Sequence, residues 1–179
     1  MKNKKGIGRF VCILIGVILL IRGCYQIGKA LGLFNTNNAE SVHEEVMIGE
    51  SIENKDNVAF CVNNIVDEKS IGEGSFKREA ENNFVVITVK VTNNSNKAYD
   101  VNSLRFLLTD GKNEYQYFTD ALMAVDDHMY MDSINPGISR EYKLVYETPS
   151  DSAETDYKLK ILPVGFDKKD YVLISLKQK

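Results

Sequence analysis

The chain has 179 residues, 44% of them apolar and 26% charged, which suits one globular domain and an appendage. Its net charge of −3 is unevenly spread: residues 1–34 hold Lys2, Lys4, Lys5, Arg9, Arg22 and Lys29 and no acid, so −3 less this +6 leaves −9 for the rest. A remainder that acidic lacks the basic footprint that phosphates demand, which excludes nucleic acid as a partner.

The basic N-terminus precedes twelve unbroken apolar or glycine residues, 10–21. As a helix this run covers about 18 Å at ~1.5 Å per residue, short of a hydrocarbon core of ~30 Å. Such a length fits the apolar core of a signal peptide. No small-x-small cleavage site follows it, however, and Arg22 can snorkel to the headgroups from a helix end. Tyr25, Ile27, Leu31, Leu33 and Phe34 keep the next stretch amphipathic, so a tilted helix can continue beyond the run. Residues 1–34 are therefore read as an uncleaved membrane anchor. The excess of basic residues before the run places its N-terminus in the cytoplasm. A second reading uses Ile21-Arg22-Gly23-Cys24, which resembles a bacterial lipobox ending in a lipid-modified cysteine. Ile21, Gly23 and Cys24 fit that pattern and Arg22 departs from it. Both readings put the C-terminal domain outside the cell membrane, single-pass in one case and lipid-anchored through Cys24 in the other.

Residues 35–45 are small and polar, as in a linker. His43 beside Glu44 and Glu45 reads as a solvated charge cluster, since one histidine is a poor metal site. Residues 46–179 then read as a succession of short strands. Residues 46–52, with Gly49, suggest a short edge strand, and 54–57 a turn. Residues 58–66 suggest a second strand with Val58, Phe60 and Val62 on one face. Cys61 lies in it as a small packing residue, and with no second cysteine in 46–179 the domain forms no internal disulfide. Residues 67–83, polar and glycine-bearing, are expected to be an exposed loop.

Residues 84–92 are the most committed strand. Val85, Ile87, Val89 and Val91 point one way at period two, and Thr88, Lys90 and Thr92 the other. β-Branched side chains suit a half-buried pleated surface. Asn93-Asn94-Ser95-Asn96 ends the strand with turn chemistry. Leu104, Phe106 and Leu108 share a face of the next strand, Asp110-Gly111 signals a hairpin, and residues 115–118 are expected to pair back as its second arm. Residues 119–133 form the longest irregular piece. Asn135-Pro136-Gly137 is a turn. Tyr142, Leu144 and Tyr146 alternate in one later strand, and Tyr157, Leu159 and Ile161 in another. Residues 171–176 are expected to add a last edge strand. Eight or nine short strands separated by turn signals predict an all-β, immunoglobulin-like β-sandwich after the N-terminal helix.

Taken together, the strand ending in Asn93-Asn94, the Asp110-Gly111 hairpin and the Asn135-Pro136-Gly137 turn before a strand resemble a telokin-like, immunoglobulin-like family of bacterial extracellular domains of unknown function. The secreted mycobacterial immunoprotective antigen is similar in fold. The resemblance covers residues 46–162. It implies a sandwich on a lipoprotein or single-helix anchor and supplies no catalytic residues.

Catalysis would need a nucleophile, an acid–base pair or a metal set. His43 and His128 are the only histidines, neither sits in a nucleophile motif, and no glycine-rich phosphate loop is present. Asp120, Asp126, Asp127 and Asp132 crowd residues 119–133, but their spacing does not match a twelve-residue calcium loop. No enzyme, cofactor, metal or small-molecule substrate is expected, and metal binding or catalysis is the weakest of the readings. The same segment carries Leu122, Met123, Val125, Met129, Tyr130 and Met131, too apolar for a solvated loop. Those residues either cap the sandwich core or face a partner. The candidate interaction residues are Met123, Tyr130, Met131, Asp126 and Asp127. The expected function is a membrane-tethered extracellular module that binds a protein or cell-envelope partner. The alternative is a structural or sensory envelope lipoprotein anchored through Cys24.

Overall fold

The computed structural model describes residues 45–128, 132–164 and 171–177. The longest element among them is β4 (Arg78–Asn93). Its alternation sets its burial: Val85, Ile87, Val89 and Val91 are fully buried on one face, while Lys90 is exposed on the other. Antiparallel neighbours flank it on both sides, β3 (Val58–Ile71) and β9 (Ser139–Thr148). Val89 lies between Val62 and Tyr142, and Ile87 between Ile65 and Leu144, so three strands present one continuous apolar face. The short β2 (Ser51–Glu53) extends the sheet beside β3.

The second sheet runs in the order β1 (Glu45–Met47), β11 (Val172–Ser175), β10 (Lys158–Pro163), β6 (Leu104–Thr109) and β7 (Glu114–Tyr115). Its pairs are antiparallel except β1 with β11, which is parallel. A two-stranded ribbon, β5 (Tyr99–Asp100) with β8 (Ser133–Ile134), completes the eleven strands of the described residues. The sheets meet through one core in which Phe106, Leu108, Leu159, Ile161 and Ile174 join the valines of β4. Phe60 and Phe106 cross between the sheets edge to face, centroids 6.2 Å apart. Each fully buried side chain of this size contributes roughly 1.5–3 kcal/mol over its exposed state. The described residues form an all-β, immunoglobulin-like sandwich; the N-terminal helix expected before it lies outside them.

Two of the sequence signals prove to be one structural unit. Asn93 is fully buried, and its Nδ2 donates to the carbonyls of Lys97 (2.7 Å) and Ile134 (2.8 Å). Its Oδ1 accepts from the Ser95 amide (3.0 Å) and hydroxyl (2.7 Å). The Gly137 amide donates to the Asn93 carbonyl, and the Asn93 amide to the Ile138 carbonyl. The end of β4 and the Asn-Pro-Gly turn are thus hydrogen-bonded to each other, which satisfies polar groups that burial would otherwise penalise.

Several expectations need correction. Residues 67–83 are largely strand: β3 and β4 stay paired out to Ile71 and Arg78, through irregularities at Val62/Asn64 and Glu68/Ser70. Only Gly74–Phe76, a 3₁₀ turn, closes the hairpin. Asp67, Glu68, Lys69, Glu79 and Glu81 are exposed in this ribbon and only Ile71 and Ala80 pack against an apolar cluster, too few to mark a half-buried strand by alternation. Residues 46–52 form parts of two strands in different sheets, with the chain crossing over at Gly49 (φ +86°). β11 is internal, because β1 lies outside it. Cys61 is a half-exposed free thiol on the outer face, as the inward parity of Phe60 and Val62 requires. The hairpin arm at 115–118 stops at Tyr115.

Candidate interaction face

The β6–β7 hairpin closes on Asp110, whose carboxylate accepts from the amides of Lys112 (2.8 Å) and Asn113 (2.7 Å), from Asn113 Nδ2 (2.9 Å) and from the Tyr115 hydroxyl (2.9 Å). The Asn113 side chain, with the backbone amides, holds Asp110 well below the usual carboxylate range. After Tyr115 the chain leaves β6 and crosses to the other sheet. The Phe118 amide bonds to the Val145 carbonyl on β9 (2.8 Å), and the Phe118 ring packs 5.0 Å from Phe84. A 3₁₀ turn, Thr119–Met123, follows.

This crossover covers the back of the β3–β4–β9 sheet. Fully buried Ala121 joins Ile71, Phe84, Val86 and Val145 in a second apolar cluster, with Ala124 and Val125 at its margin. A Cβ on Gly72 (φ +74°) would stand 2.8 Å from Ala124 Cβ and from the Phe76 carbonyl oxygen, so only glycine lets the two segments approach. The Lys143 amide donates to the Asp127 carbonyl (2.9 Å), which occupies part of the free edge of β9. Beyond the crossover the Asp132 carboxylate accepts from the Tyr142 hydroxyl (2.6 Å) and Arg140 (3.0 Å), and its backbone carbonyl accepts from Val101 (3.2 Å). Burial works to raise the Asp132 pKa, but Tyr142, the Ser133 amide and Arg140 together hold it below its ordinary value.

The sequence-predicted residues divide accordingly. Met123 is 63% exposed, and Asp126 and Asp127 are exposed beside it. Tyr130, Met131, Cys24 and the segment 1–34 lie outside the described residues, as does linker 35–44. Leu122 and Val125 are half-buried. Of the four aspartates considered for calcium, Asp120 pairs with Arg78 (3.4 Å) and Asp132 is engaged as above. Among the described residues no three His, Cys, Asp or Glu side chains are grouped to share a metal ion.

The divergence of the chain after Tyr115 opens a groove that the sequence did not reveal. Its walls are Val101–Leu107 on one side and residues 116–122 on the other, with Leu144 between them, and it encloses about 420 Å³. Leu104, Phe106, Tyr117 and Leu122 make the lining predominantly apolar. Burial pushes the Tyr117 hydroxyl up to about 12 and raises its neighbour Tyr146 as well. Neither hydroxyl has a hydrogen-bond partner among the described residues. The one local hint of the crossover is the doublet Tyr117-Phe118, which breaks the strand alternation.

An all-β sandwich of two antiparallel-dominated sheets, with an apolar groove beside a long crossover, defines the class of this protein. The chain belongs to the family described as Domain of unknown function (DUF4352), which matches residues 46–171. Among solved structures it is similar to an uncharacterized β-sandwich protein from Clostridium difficile 630, with TM-score 0.51 and 16% identity over 75% of this chain and 95% of that one. It is also similar to the yjhA protein from Bacillus subtilis, with TM-score 0.53 and 18% identity over 74% and 99%. A third likeness is to the secreted protein MPT63 from Mycobacterium tuberculosis, with TM-score 0.54 and 11% identity over 76% and 98%. At these identities the likeness is one of fold. No curated protein matches the chain.

Proposed function

We propose that the protein is a membrane-tethered extracellular module that binds a protein or cell-envelope partner and performs no catalysis. One observation carries this reading. The crossover clamps itself to the sandwich through Phe118 and Ala121 while turning Met123, Asp126 and Asp127 outward. An exposed methionine on a firmly held segment supplies adaptable contact area, and adjacent carboxylates favour a basic partner and set its orientation. The basic and apolar N-terminal run supports a tether, and the secreted protein among the similar folds supports an extracellular setting. Arg105 and Tyr117 are the ionisable side chains of the groove lining, which is otherwise apolar or neutral and suits recognition of a partner.

The lipobox-like Ile21-Arg22-Gly23-Cys24 favours a second mode of attachment, a lipoprotein anchored through Cys24. Mass spectrometry of the mature protein separates the two: an intact N-terminus supports the uncleaved anchor, and a diacylglyceryl cysteine at a new N-terminus supports the lipoprotein. The binding role is tested with a photo-cross-linking amino acid placed at position 123 in growing cells, with position 112 on the β6–β7 tip as control. A discrete adduct from 123 that is absent from 112 is expected. Identical patterns from both positions, or none from 123, would refute the role.

A further inference from the structure

The backbone of β6 carries a docking position that the described residues leave open. The Ser103 carbonyl accepts from the Val164 amide (2.7 Å), so Ser103, Arg105 and Leu107 direct their backbone groups toward β10. Leu104, Phe106 and Leu108 therefore direct theirs the other way, toward the side that β7 occupies. The Leu104 amide closes the preceding 3₁₀ turn on the Val101 carbonyl, and Leu108 pairs with Tyr115. Between them the N–H and C=O of Phe106 face the groove without a partner among the described residues. Had β7 continued in register, Tyr117 would have filled this place; the bond from Phe118 to Val145 carries the chain away instead.

We propose that this groove receives an extended polypeptide segment of a partner, added as an antiparallel strand in line with β7, with one of its residues exchanging both backbone hydrogen bonds with Phe106. The inference rests on the binding-module reading and names the partner's chemistry. Paired donor and acceptor at strand spacing suit a peptide backbone, because strand addition draws affinity from the main chain and specificity from alternate side-chain pockets. Directly opposed residues share a face of the sheet. The partner residue opposite Phe106, and the one opposite Leu104, therefore point inward toward Tyr117 and Leu144, where an apolar side chain is required. The residue between them points outward beside Arg105, where polar side chains are accepted. The recognised pattern is thus apolar–any–apolar in an extended segment without proline at its centre.

The test uses the full-length chain in mild detergent and a phage-displayed library of random heptapeptides. Enrichment of sequences with apolar residues two positions apart is expected. The best synthetic peptide should slow exchange of the Phe106 amide, read residue by residue by NMR, at least tenfold. N-methylation of its residue opposite Phe106 should weaken binding at least tenfold. Failure to enrich any sequence overturns the inference, as do enriched peptides that leave Phe106 exchange unchanged or tolerate N-methylation. Cross-linking from position 123 is unaffected by those results, so failure of the groove and failure of the module reading are told apart.

Discussion

At the scale of single residues, buried polar groups hold the turns that the sandwich depends on. Asp132 ties the end of the crossover to β9 through Tyr142 and Arg140. Its folded pKa lies below the ordinary 3.8, so its stabilising contribution is fully present above 3.8 and fades as pH falls through the lower folded value. Asp132→Asn should lower stability by about 1.5–3 kcal/mol at neutral pH, the range for bonds to a charged group. In urea melts the gap from the unaltered protein should narrow as pH drops below 3.8; a gap that stays constant would show that the charge contributes nothing. Glycines make a second residue-level contrast. Gly72 and Gly111 both have positive φ, a conformation that costs an L side chain roughly 1–2 kcal/mol. Open space surrounds Gly111, whereas a Cβ at Gly72 collides with Ala124 and Phe76. Gly72→Ala should therefore be clearly more destabilising than Gly111→Ala in thermal melts, and equal losses would contradict the close docking of the crossover.

Elements differ in how much of them can be read locally. β4 was legible because one face is buried by a facing sheet and the other is largely open over 88–92, so burial imposes period two on the residues. The far half of the β3–β4 hairpin was not, since Asp67, Glu68, Lys69, Glu79 and Glu81 are all exposed there and Ile71 and Ala80 alone are too few to mark a face. Besides the contacts of Ile71 and Ala80 with the crossover, a polar anchor holds it: Asn83, buried, donates to Asp67 (2.7 Å), which also accepts from the Ser152 amide and hydroxyl. β1 and β2 gave no sign of joining opposite sheets, because three residues each are too few to carry a pattern. The candidate interaction segment stands out in the sequence as an apolar excess in a polar setting. Its division does not: Ala121 goes inward and Met123 outward because a 3₁₀ turn sets them apart, and that turn is placed by a bond to distant Val145. The groove is likewise a product of long-range divergence, invisible to any local window.

Across the whole molecule, stability has an alkaline limit set by buried phenols. Burial, followed by the bond to Asp132, raises Tyr142, and burial raises Tyr146, each above the ordinary 10. A group raised in this way contributes fully below 10 and loses its contribution as pH climbs toward the folded value. Of the nine tyrosines, Tyr142 and Tyr146 should ionise only as the domain unfolds, giving a cooperative late step in phenolate absorbance that coincides with loss of strand circular dichroism. Smooth titration of all nine near pH 10 would contradict the buried arrangement. The same sandwich that shields these hydroxyls leaves Met123, Asp126 and Asp127 in solvent, separating the residues that fold the domain from those proposed to meet a partner.

That separation is the centre of the account, and a single combined variant tests it. Met123→Ser with Asp126→Asn and Asp127→Asn alters three exposed side chains, and asparagine tolerates the positive φ of Asp127 (59°). The measurement is melting temperature alongside recovery of the adduct formed from a photo-cross-linker at His128, the exposed neighbour of Asp127. The account predicts a melting temperature within about 2 °C of the unaltered protein, since exposed substitutions stay within roughly 0.5 kcal/mol, together with loss of the adduct. A large fall in melting temperature, or an adduct that persists at full yield, would contradict it.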